Sequence, residues 1–326
     1  MNNKAIYKKT IGFSIRRALW DLLAAAVFIA SLVLGFIILD KTTNMGILGL
    51  GIGAIVGGIL IHFILRYVGY TYKAGQIAMM TKGVSEGKLP DDVIGAGKKI
   101  VKERFTTVAV YFAATGVIKG IFRQIGNGIT AISKSVGGDT GNAVGSTISA
   151  VIETIVSYLC DCCLGWVFYQ ENERASKATL EGAVIFFKNG KTFIRNMGRV
   201  FGMSFLSFLV IGGVFFGISW LILQAFPDMM AGLSTEIIEA GSRTGANLPG
   251  WISDIGTLTI VCSVIIGVVI WGILHSTFVR PFILVGVLRN YIKSGKENRP
   301  TEQAFSELDE KSKKFKELHE KVEAGE

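Results

Sequence analysis

The chain has 326 residues, of which 50% are apolar, only 18% are charged and 40 are glycine, and its net charge is +9. A soluble domain has about 25% charged residues, so this composition indicates an integral membrane protein. It excludes a disordered chain, a nucleic-acid-binding domain and a disulfide-stapled secreted scaffold. The meaning of the positive charge depends on where along the chain the basic residues lie.

Long stretches without charge predict the membrane spans. A hydrocarbon core about 30 Å thick needs roughly 20 apolar helical residues. Five stretches meet this requirement. A sixth, weaker candidate contains Lys119 and Arg123, and it crosses a membrane only if these side chains extend to the interface or form ion pairs. The sequence therefore predicts an all-α, polytopic transmembrane helix bundle of about six spans. The predicted spans are 18–39, 46–66, 105–125, 147–168, 200–226 and 255–279.

The basic residues predict the orientation of these spans. Cytoplasmic connections of membrane proteins carry an excess of Lys and Arg. In the six-span arrangement 29 of the 34 basic residues lie on the side of both chain ends. We therefore expect cytoplasmic N- and C-termini in the plasma membrane. The first span lacks a cleavage pattern, so we expect it to remain as an anchor.

Two regions are predicted along the chain. Residues 1–288 form the transmembrane domain, and residues 289–326 form a charged cytoplasmic tail helix that self-associates or docks on the inward connections. Within the first region, 73–82 and 91–104 carry apolar residues at helical spacing opposite lysines, with Asp91 and Asp92 supplying an N-cap. Such amphipathic segments are expected along the inner leaflet.

Further along, segment 175–200 places basic residues at intervals of three or four. This pattern predicts one basic face, directed at anionic lipid headgroups or at the cytosol. The bilayer and its anionic lipids are therefore the first predicted partners, and no nucleic acid is expected.

The second predicted span is unusually rich in glycine. Small residues at four-residue spacing allow helices to approach closely. The pattern favours close packing, within the chain or between copies in a homo-oligomer; the alternative is a flexible gate helix. The glycines are Gly46, Gly49, Gly51, Gly53, Gly57 and Gly58.

A few ionisable residues fall inside predicted spans, where they are candidate functional groups. Lys119 and Glu153 lie at similar depth in neighbouring spans, so we expect an ion pair; the functional alternative makes Glu153 an anionic residue on a cation pathway. Asp161, His62 and His275 all fall in the cytoplasmic third. They could form a titratable cluster that couples protons to transport, or each could sit at a hydrated helix end.

The spacing of the cysteines does not predict a metal site or a catalytic group. The run Cys160-Asp161-Cys162-Cys163 lies on one helix and cannot supply four tetrahedral ligands, so no metal and no cofactor are expected. Free thiols are the default for such residues. Nothing in the sequence resembles a nucleophile and base, so an enzyme is not expected.

From about residue 67 onward, the order of features resembles the C-terminal half of the choline transporter-like family. The cysteine cluster at 160–163 precedes an amphipathic segment that ends in Arg-Asn-x-x-Arg-Val at 195–200. After the last span, a serine-containing stretch at 276–279 is followed by an apolar run, a charged segment and a turn ending in Arg299-Pro300. The resemblance implies an α-helical transporter-like bundle and a choline- or ethanolamine-like cation as substrate.

Aromatic residues in the spans fit such a substrate, because quaternary ammonium groups are bound by aromatic faces and negative potential. Tyr111, Tyr158 and Trp271, together with Glu153, are the candidate substrate-binding residues. The sequence thus predicts a transporter-like protein that moves a small organic cation. The alternatives are a non-transporting scaffold or channel-complex subunit assembled through glycine-rich helices, and a lipid-interacting protein that shapes the membrane.

Overall fold

A computed structural model describes residues 1–43, 46–105, 110, 113–124, 141–244 and 247–325. All regular elements in these ranges are helices. Three π-helical turns, at Gly69–Lys73, Phe208–Gly212 and His275–Val279, and one 3₁₀ turn, at Gly250–Ile252, connect or interrupt them. The α-helices are α1 (Asn3–Thr43), α2 (Gly46–Val68), α3 (Ala74–Ser85), α4 (Val93–Arg104), α5 (113–124), α6 (Gly141–Tyr169), α7 (Ala175–Ser207), α8 (Gly213–Gln224), α9 (Pro227–Thr244), α10 (Ile255–Leu274), α11 (Arg280–Glu297), α12 (Glu302–Lys311) and α13 (Lys313–Glu323).

Four helical stretches of the described chain are long and apolar enough to cross a membrane, and they contain the predicted spans 18–39, 46–66, 200–226 and 255–279 nearly complete. This establishes an all-α protein with the features of a membrane protein. The four stretches are Asn3–Thr43, Leu48–Ser85, Val200–Gln224 and Ile255–Glu297.

The two other predicted spans do not correspond to candidate membrane stretches in the described part of the chain. Residues 105–125 are described only in part. Residues 147–168 lie in α6, which is not one of the four candidate stretches, and from Asp161 to Phe168 every residue of this helix is buried. Protein, rather than lipid, covers this half of α6.

The chain divides into two compact units that interleave along the sequence. The first, called the charged unit, comprises Met1–Arg17, Tyr67–Val200 and Pro281–Glu326. The second, called the apolar unit, comprises Ala18–Arg66 and Phe201–Arg280. Nearly all the exposed large apolar side chains belong to the apolar unit, as expected for a surface that meets hydrocarbon rather than water.

Within the apolar unit, α1 and α2 pack through glycine. A Cβ atom added at Gly49 would collide with the backbone of Gly35, and one added at Gly53 would collide with the backbone of Ser31. Ser31 also donates a hydrogen bond of 3.0 Å to the Gly53 carbonyl oxygen. The close packing predicted for span two is therefore present, and it occurs within one chain; Gly51, by contrast, faces open space.

The other half of the apolar unit is a hairpin of α8 and α10, joined by α9. Gly267 of α10 lies against α8, where an added Cβ would come 3.0 Å from the Gly212 carbonyl oxygen. Asp254 begins α10 by accepting hydrogen bonds from the backbone N–H groups of Gly256 and Thr257. Such N-caps satisfy backbone donors that the helix leaves unpaired.

The charged unit has a conventional buried core around α3, α6 and α11. The sequence breaks α3 at Gly87, which adopts a φ of +73°, and starts α4 at Asp92, which accepts from the Gly95 N–H as predicted. Nearly all of α3 is buried. This helix therefore packs inside the protein, because its small and apolar residues meet α4 and α6, and it does not lie with an apolar face on a membrane.

The tail is docked, one of the two outcomes predicted for it. Phe315 of α13 and Leu308 of α12 are fully buried in an apolar cluster with Ile121 of α5 and Leu180 and Val184 of α7. Ser312 separates the two tail helices and caps α13 through the Phe315 N–H. The docked tail consequently holds α5 against α7.

Candidate functional site

Polar side chains form a band inside the apolar unit, where α7 and α10 each run into a π-helical turn. The Trp271 indole N–H donates to Ser207 Oγ at 3.2 Å. One helical turn later, His275 Nε2 lies 3.0 Å from Ser204 Oγ. These two hydrogen bonds join the two sides of the hairpin through groups that are uncommon in an apolar surrounding.

The same residues build a continuous aromatic surface. The Phe208 ring meets Trp271 edge-on, with ring centroids 5.1 Å apart and an interplanar angle of 81°. On the other side of Trp271, the His275 ring centroid lies 5.2 Å away at an interplanar angle of 39°. Three neighbouring aromatic rings therefore lie in contact, and the faces of such rings attract a cation in a region of low polarity.

A carboxylate from α1 completes the band. Thr277 is fully buried, and its hydroxyl lies 3.2 Å from Asp21 Oδ2 and 2.7 Å from the Ile273 carbonyl oxygen. Asp21 falls within the predicted first span. We call Asp21, Ser204, Ser207, Trp271, His275 and Thr277 the polar band.

The two π-helical turns are part of this geometry. Ser204 and Ser207 immediately precede the turn at Phe208–Gly212, and His275 and Thr277 lie within the turn at His275–Val279. A π-helical turn changes the direction in which successive side chains point, and such turns are frequent at functional sites. Both segments that carry the polar band thus depart from regular α-helix at the same place.

Two candidate residues from the sequence, Trp271 and His275, are brought together here, although one was assigned to substrate and the other to coupling. Asp21, Ser204, Ser207 and Thr277 were not predicted as site residues from the sequence. Asp21 could have been recognised as a candidate, because it is a carboxylate near the start of the first predicted span. The serines and the threonine could not, because single hydroxyls are common in membrane helices.

A second group of candidates meets in the charged unit. Lys119 Nζ lies 3.1 Å from Glu153 Oε1, as expected. Arg123 also binds this carboxylate, through Nη2 at 2.8 Å and Nε at 3.2 Å. The pKa of the Glu153 carboxyl is lowered, first by the hydrogen bond from Arg123 and then by that from Lys119. These side chains are about half exposed, so the cluster is a surface ion network joining α5 to α6.

The predicted cluster of Asp161, His62 and His275 does not form within either unit. Asp161 belongs to the charged unit, where it pairs with Lys73 at 2.6 Å and is nearly completely buried. His62 and His275 belong to the apolar unit; His62 is exposed and its ring lies 6.1 Å from that of Phe63.

The tyrosine candidates give no further site. Tyr158 is buried in the charged unit. Tyr111 lies outside the described residues. The four cysteines are free thiols, and in the described part of the chain no three His, Cys, Asp or Glu residues are arranged to hold a metal ion.

The charged unit also carries a polar groove. Two adjoining cavities of about 400 and 440 Å³ open on its surface beside α3 and α4. They share the lining residues Lys82, Ile100, Phe168 and Glu171. Both acidic and basic side chains line the groove, so it suits a polar partner better than an apolar one.

In comparisons with known proteins, no family model, no curated protein and no solved structure matches this chain. The resemblance to the choline transporter-like family therefore stays a prediction from the sequence.

Proposed function

We propose that this chain is a four-span membrane protein of the plasma membrane that binds and moves a small organic cation by alternating access, without catalytic chemistry. The polar band carries the proposal. The carboxylate of Asp21, the imidazole of His275 and the aromatic surface around Trp271 all belong to a unit whose helices expose many large apolar side chains. Carboxylates and aromatic faces are the groups that recognise organic cations.

The cost of the polar band supports a functional role. On insertion scales a carboxylate costs about 2.5–3.5 kcal/mol at the centre of a membrane helix and less towards the end of the helix, where Asp21 lies. The three hydroxyl groups and the imidazole add further polar groups that must find hydrogen-bond partners in hydrocarbon. A membrane anchor needs none of them, since leucine or valine would serve it better.

A four-span topology with both termini in the cytoplasm fits the distribution of Lys and Arg better than a six-span topology does. If residues 67–199 stay on the side of the chain ends, every Lys and Arg except Lys41 and Arg243 is cytoplasmic. This partition follows the positive-inside rule more closely than the six-span one. The tail supports the same topology, because it contacts α5 directly.

A labelling experiment separates the two topologies. Gly116 is exposed on α5, and an added Cβ meets no other atom there. With four spans, a Gly116→Cys variant in inside-out vesicles reacts with a membrane-impermeant maleimide. With six spans, position 116 lies within the bilayer and stays unlabelled from either side. A reporter at residue 185 or at the C-terminus must be cytoplasmic in both cases.

Transport is tested with the purified full chain in proteoliposomes, by uptake of labelled choline and ethanolamine with and without a proton gradient. We expect saturable uptake. Because a desolvated cation–π contact is worth about 2 kcal/mol, a Trp271→Leu change should raise the half-saturating concentration at least about tenfold. Asp21→Asn, which keeps the side-chain shape and removes the charge, should act in the same direction.

Matched controls are available outside the polar band. Trp251 is an exposed tryptophan of the 3₁₀ turn and Asp228 an exposed aspartate of α9, so Trp251→Leu and Asp228→Asn should leave uptake unchanged. No saturable uptake by a folded preparation contradicts the proposal. Equal losses in the control and band variants also contradict it, because they indicate a general loss of structure.

The second candidate is a non-transporting membrane scaffold or channel-complex subunit, and the polar groove of the charged unit favours it. Its assembly would use this groove rather than the glycines, because Gly49 and Gly53 are already packed against α1. The two functions differ at Asp21. A transporter loses uptake in Asp21→Asn and keeps its assembly state, whereas a scaffold has no uptake to lose and does not depend on this carboxylate for its assembly.

A further inference from the structure

Helix α9, which joins the two long helices of the apolar hairpin, has three distinct faces. Met230 and Ser234 form a buried face, and Ser234 donates a hydrogen bond of 2.7 Å to the Ile252 carbonyl oxygen. This contact and the packing of α9 on α10 and on the 3₁₀ turn fix the rotation of the helix about its axis. The orientation of the other two faces follows from it.

The second face is apolar and exposed. Met229 and Leu233 lie four residues apart on one side of the helix, and together with Phe226, which immediately precedes the helix, they form the stripe. Their exposed fractions are 56%, 54% and 41%. Trp251, from the adjacent 3₁₀ turn, is 41% exposed. Four large apolar side chains would thus meet water if α9 projected into solvent.

The third face is polar. Thr235, Glu239 and Ser242 are exposed on it, and Glu239 forms an ion pair of 3.1 Å with Arg243 one turn later. Asp228 and Glu236 are exposed as well, and Glu236 follows Leu233 by three residues, so the apolar stripe is confined to the first two turns of the helix. An apolar stripe beside a charged face, on a helix held along its third side, is the pattern of a helix that lies in a membrane interface.

The neighbouring elements indicate the same environment. The exposed stripe continues onto the surface of the hairpin itself, since Leu221 and Ile222 of α8 and Ile255 of α10 are also exposed. The stripe begins where α8 ends and Trp251 stands just before α10 begins, so both lie at the level where the apolar helices terminate. Tryptophan is enriched at that level of a bilayer.

We propose that α9 is an interfacial membrane helix, whose stripe of Phe226, Met229 and Leu233 inserts among the acyl chains together with Trp251 while the Glu239 face stays in water. The partner is the lipid bilayer, in the leaflet at this end of the hairpin. The proposal is independent of transport, because it concerns only the packing of the connector.

Nitroxide scanning of the full chain tests this in vesicles of phosphatidylcholine and phosphatidylglycerol. Cys160 and Cys262 are partly exposed and are first replaced by serine; the buried Cys162 and Cys163 remain, and labelling of this parent measures their background. Single labels are then placed by Phe226→Cys, Met229→Cys and Leu233→Cys on the stripe. Thr235→Cys and Ser242→Cys on the polar face are the matched controls.

Oxygen concentrates in the acyl region, whereas a water-soluble nickel chelate is excluded from it. We expect labels on the stripe to collide several-fold more with oxygen, and several-fold less with the chelate, than labels on the polar face. Equal access of the chelate to both faces overturns the proposal, because α9 then stands in water. Low access of both reagents to the stripe, with spin–spin broadening, also overturns it, because a second copy of the chain then covers the stripe.

Three stripe positions are labelled so that one misfolded variant does not decide the result. Each variant is first compared with its parent by size-exclusion chromatography. Because all five labelled side chains are exposed, the substitutions remove no buried contact.

Discussion

Ser312 donates its hydroxyl proton to Gln124 Oε1 at 2.7 Å, across 188 residues of chain. The backbone N–H of Lys314 donates to the same oxygen at 3.1 Å. Two groups in direct hydrogen-bond contact lie on the same side of a membrane. The contact therefore links the location of α5 to that of the C-terminal tail.

This contact can be captured covalently. In a Gln124→Cys/Ser312→Cys variant of the full chain, mild oxidation should form an intramolecular disulfide, because the two side chains meet in the native structure. The product is read from the electrophoretic shift and from the cross-linked peptide. The control pair, Gln124→Cys/Lys316→Cys, places the second cysteine on the exposed side of α13 and should stay reduced. Equal cross-linking of both pairs would show that the tail is not held in this position.

The glycine contact between α1 and α2 predicts an asymmetric response to alanine. Gly53→Ala adds a Cβ that collides with the backbone of Ser31, so the helices must separate, at a cost of about 1–3 kcal/mol. Gly51→Ala adds the same atom into open space and should be neutral, or stabilising by up to about 1 kcal/mol through helix propensity. Thermal unfolding in lipid nanodiscs measures both, and equal effects would show that α1 and α2 do not pack through this face.

The ion pair of Lys73 with the buried carboxylate of Asp161 predicts a large effect when the cation is removed. Lys73→Met withdraws the cation that lies 2.6 Å from a carboxylate nearly excluded from solvent. Loss of one member of such a pair typically costs about 3–5 kcal/mol. The comparison variant is Lys99→Met, which removes a cation from an exposed pair with Glu103 and should cost less than about 1 kcal/mol. Chemical denaturation followed by tryptophan fluorescence distinguishes the two.

The network around Glu153 predicts a pH dependence with a definite sign. Arg123 and then Lys119 hold the pKa of this carboxyl below its ordinary value. The stabilisation is therefore complete above the unfolded pKa of about 4.3 and is lost as the pH falls through the lower folded pKa. Because the groups are half exposed, solvent screening keeps the effect below about 1 kcal/mol.

Hydrogen exchange of α5, measured between neutral pH and pH 3, detects this change. Protection of α5 should fall at the acidic end in the wild type. Glu153→Gln should lower protection already at neutral pH and remove its pH dependence. A wild-type profile that parallels the variant's at every pH would rule out a contribution of the ion network to the contact between α5 and α6.

Local features of the fold could be predicted from the sequence. The four apolar stretches and the N-cap at Asp92 depend on residues close together in the chain, and hydropathy and capping rules describe such effects well. The connector between the last two candidate spans is less well predicted, because its sequence at 234–240 indicates only one or two helical turns. In the structure it contains the much longer helix α9 (Pro227–Thr244), because residues on both sides of 234–240 extend the amphipathic pattern.

The meeting of distant residues could not be predicted in the same way. The sequence placed Lys119 near Glu153 through an assumed depth in neighbouring spans, and the pair exists in a different setting, as part of a surface network with Arg123. The polar band was missed because its six residues come from three separate stretches of chain. Which stretches meet depends on tertiary packing, and a single sequence carries little information about it.

The hydrogen bond between Ser204 and His275 has one further consequence. A hydroxyl group both donates and accepts. When His275 is neutral with its proton on Nδ1, Ser204 donates to Nε2; when the imidazole is charged, Nε2 donates to the serine oxygen instead. The serine needs only to rotate its proton, so the imidazole can gain or release a proton while the two helices remain joined at this point.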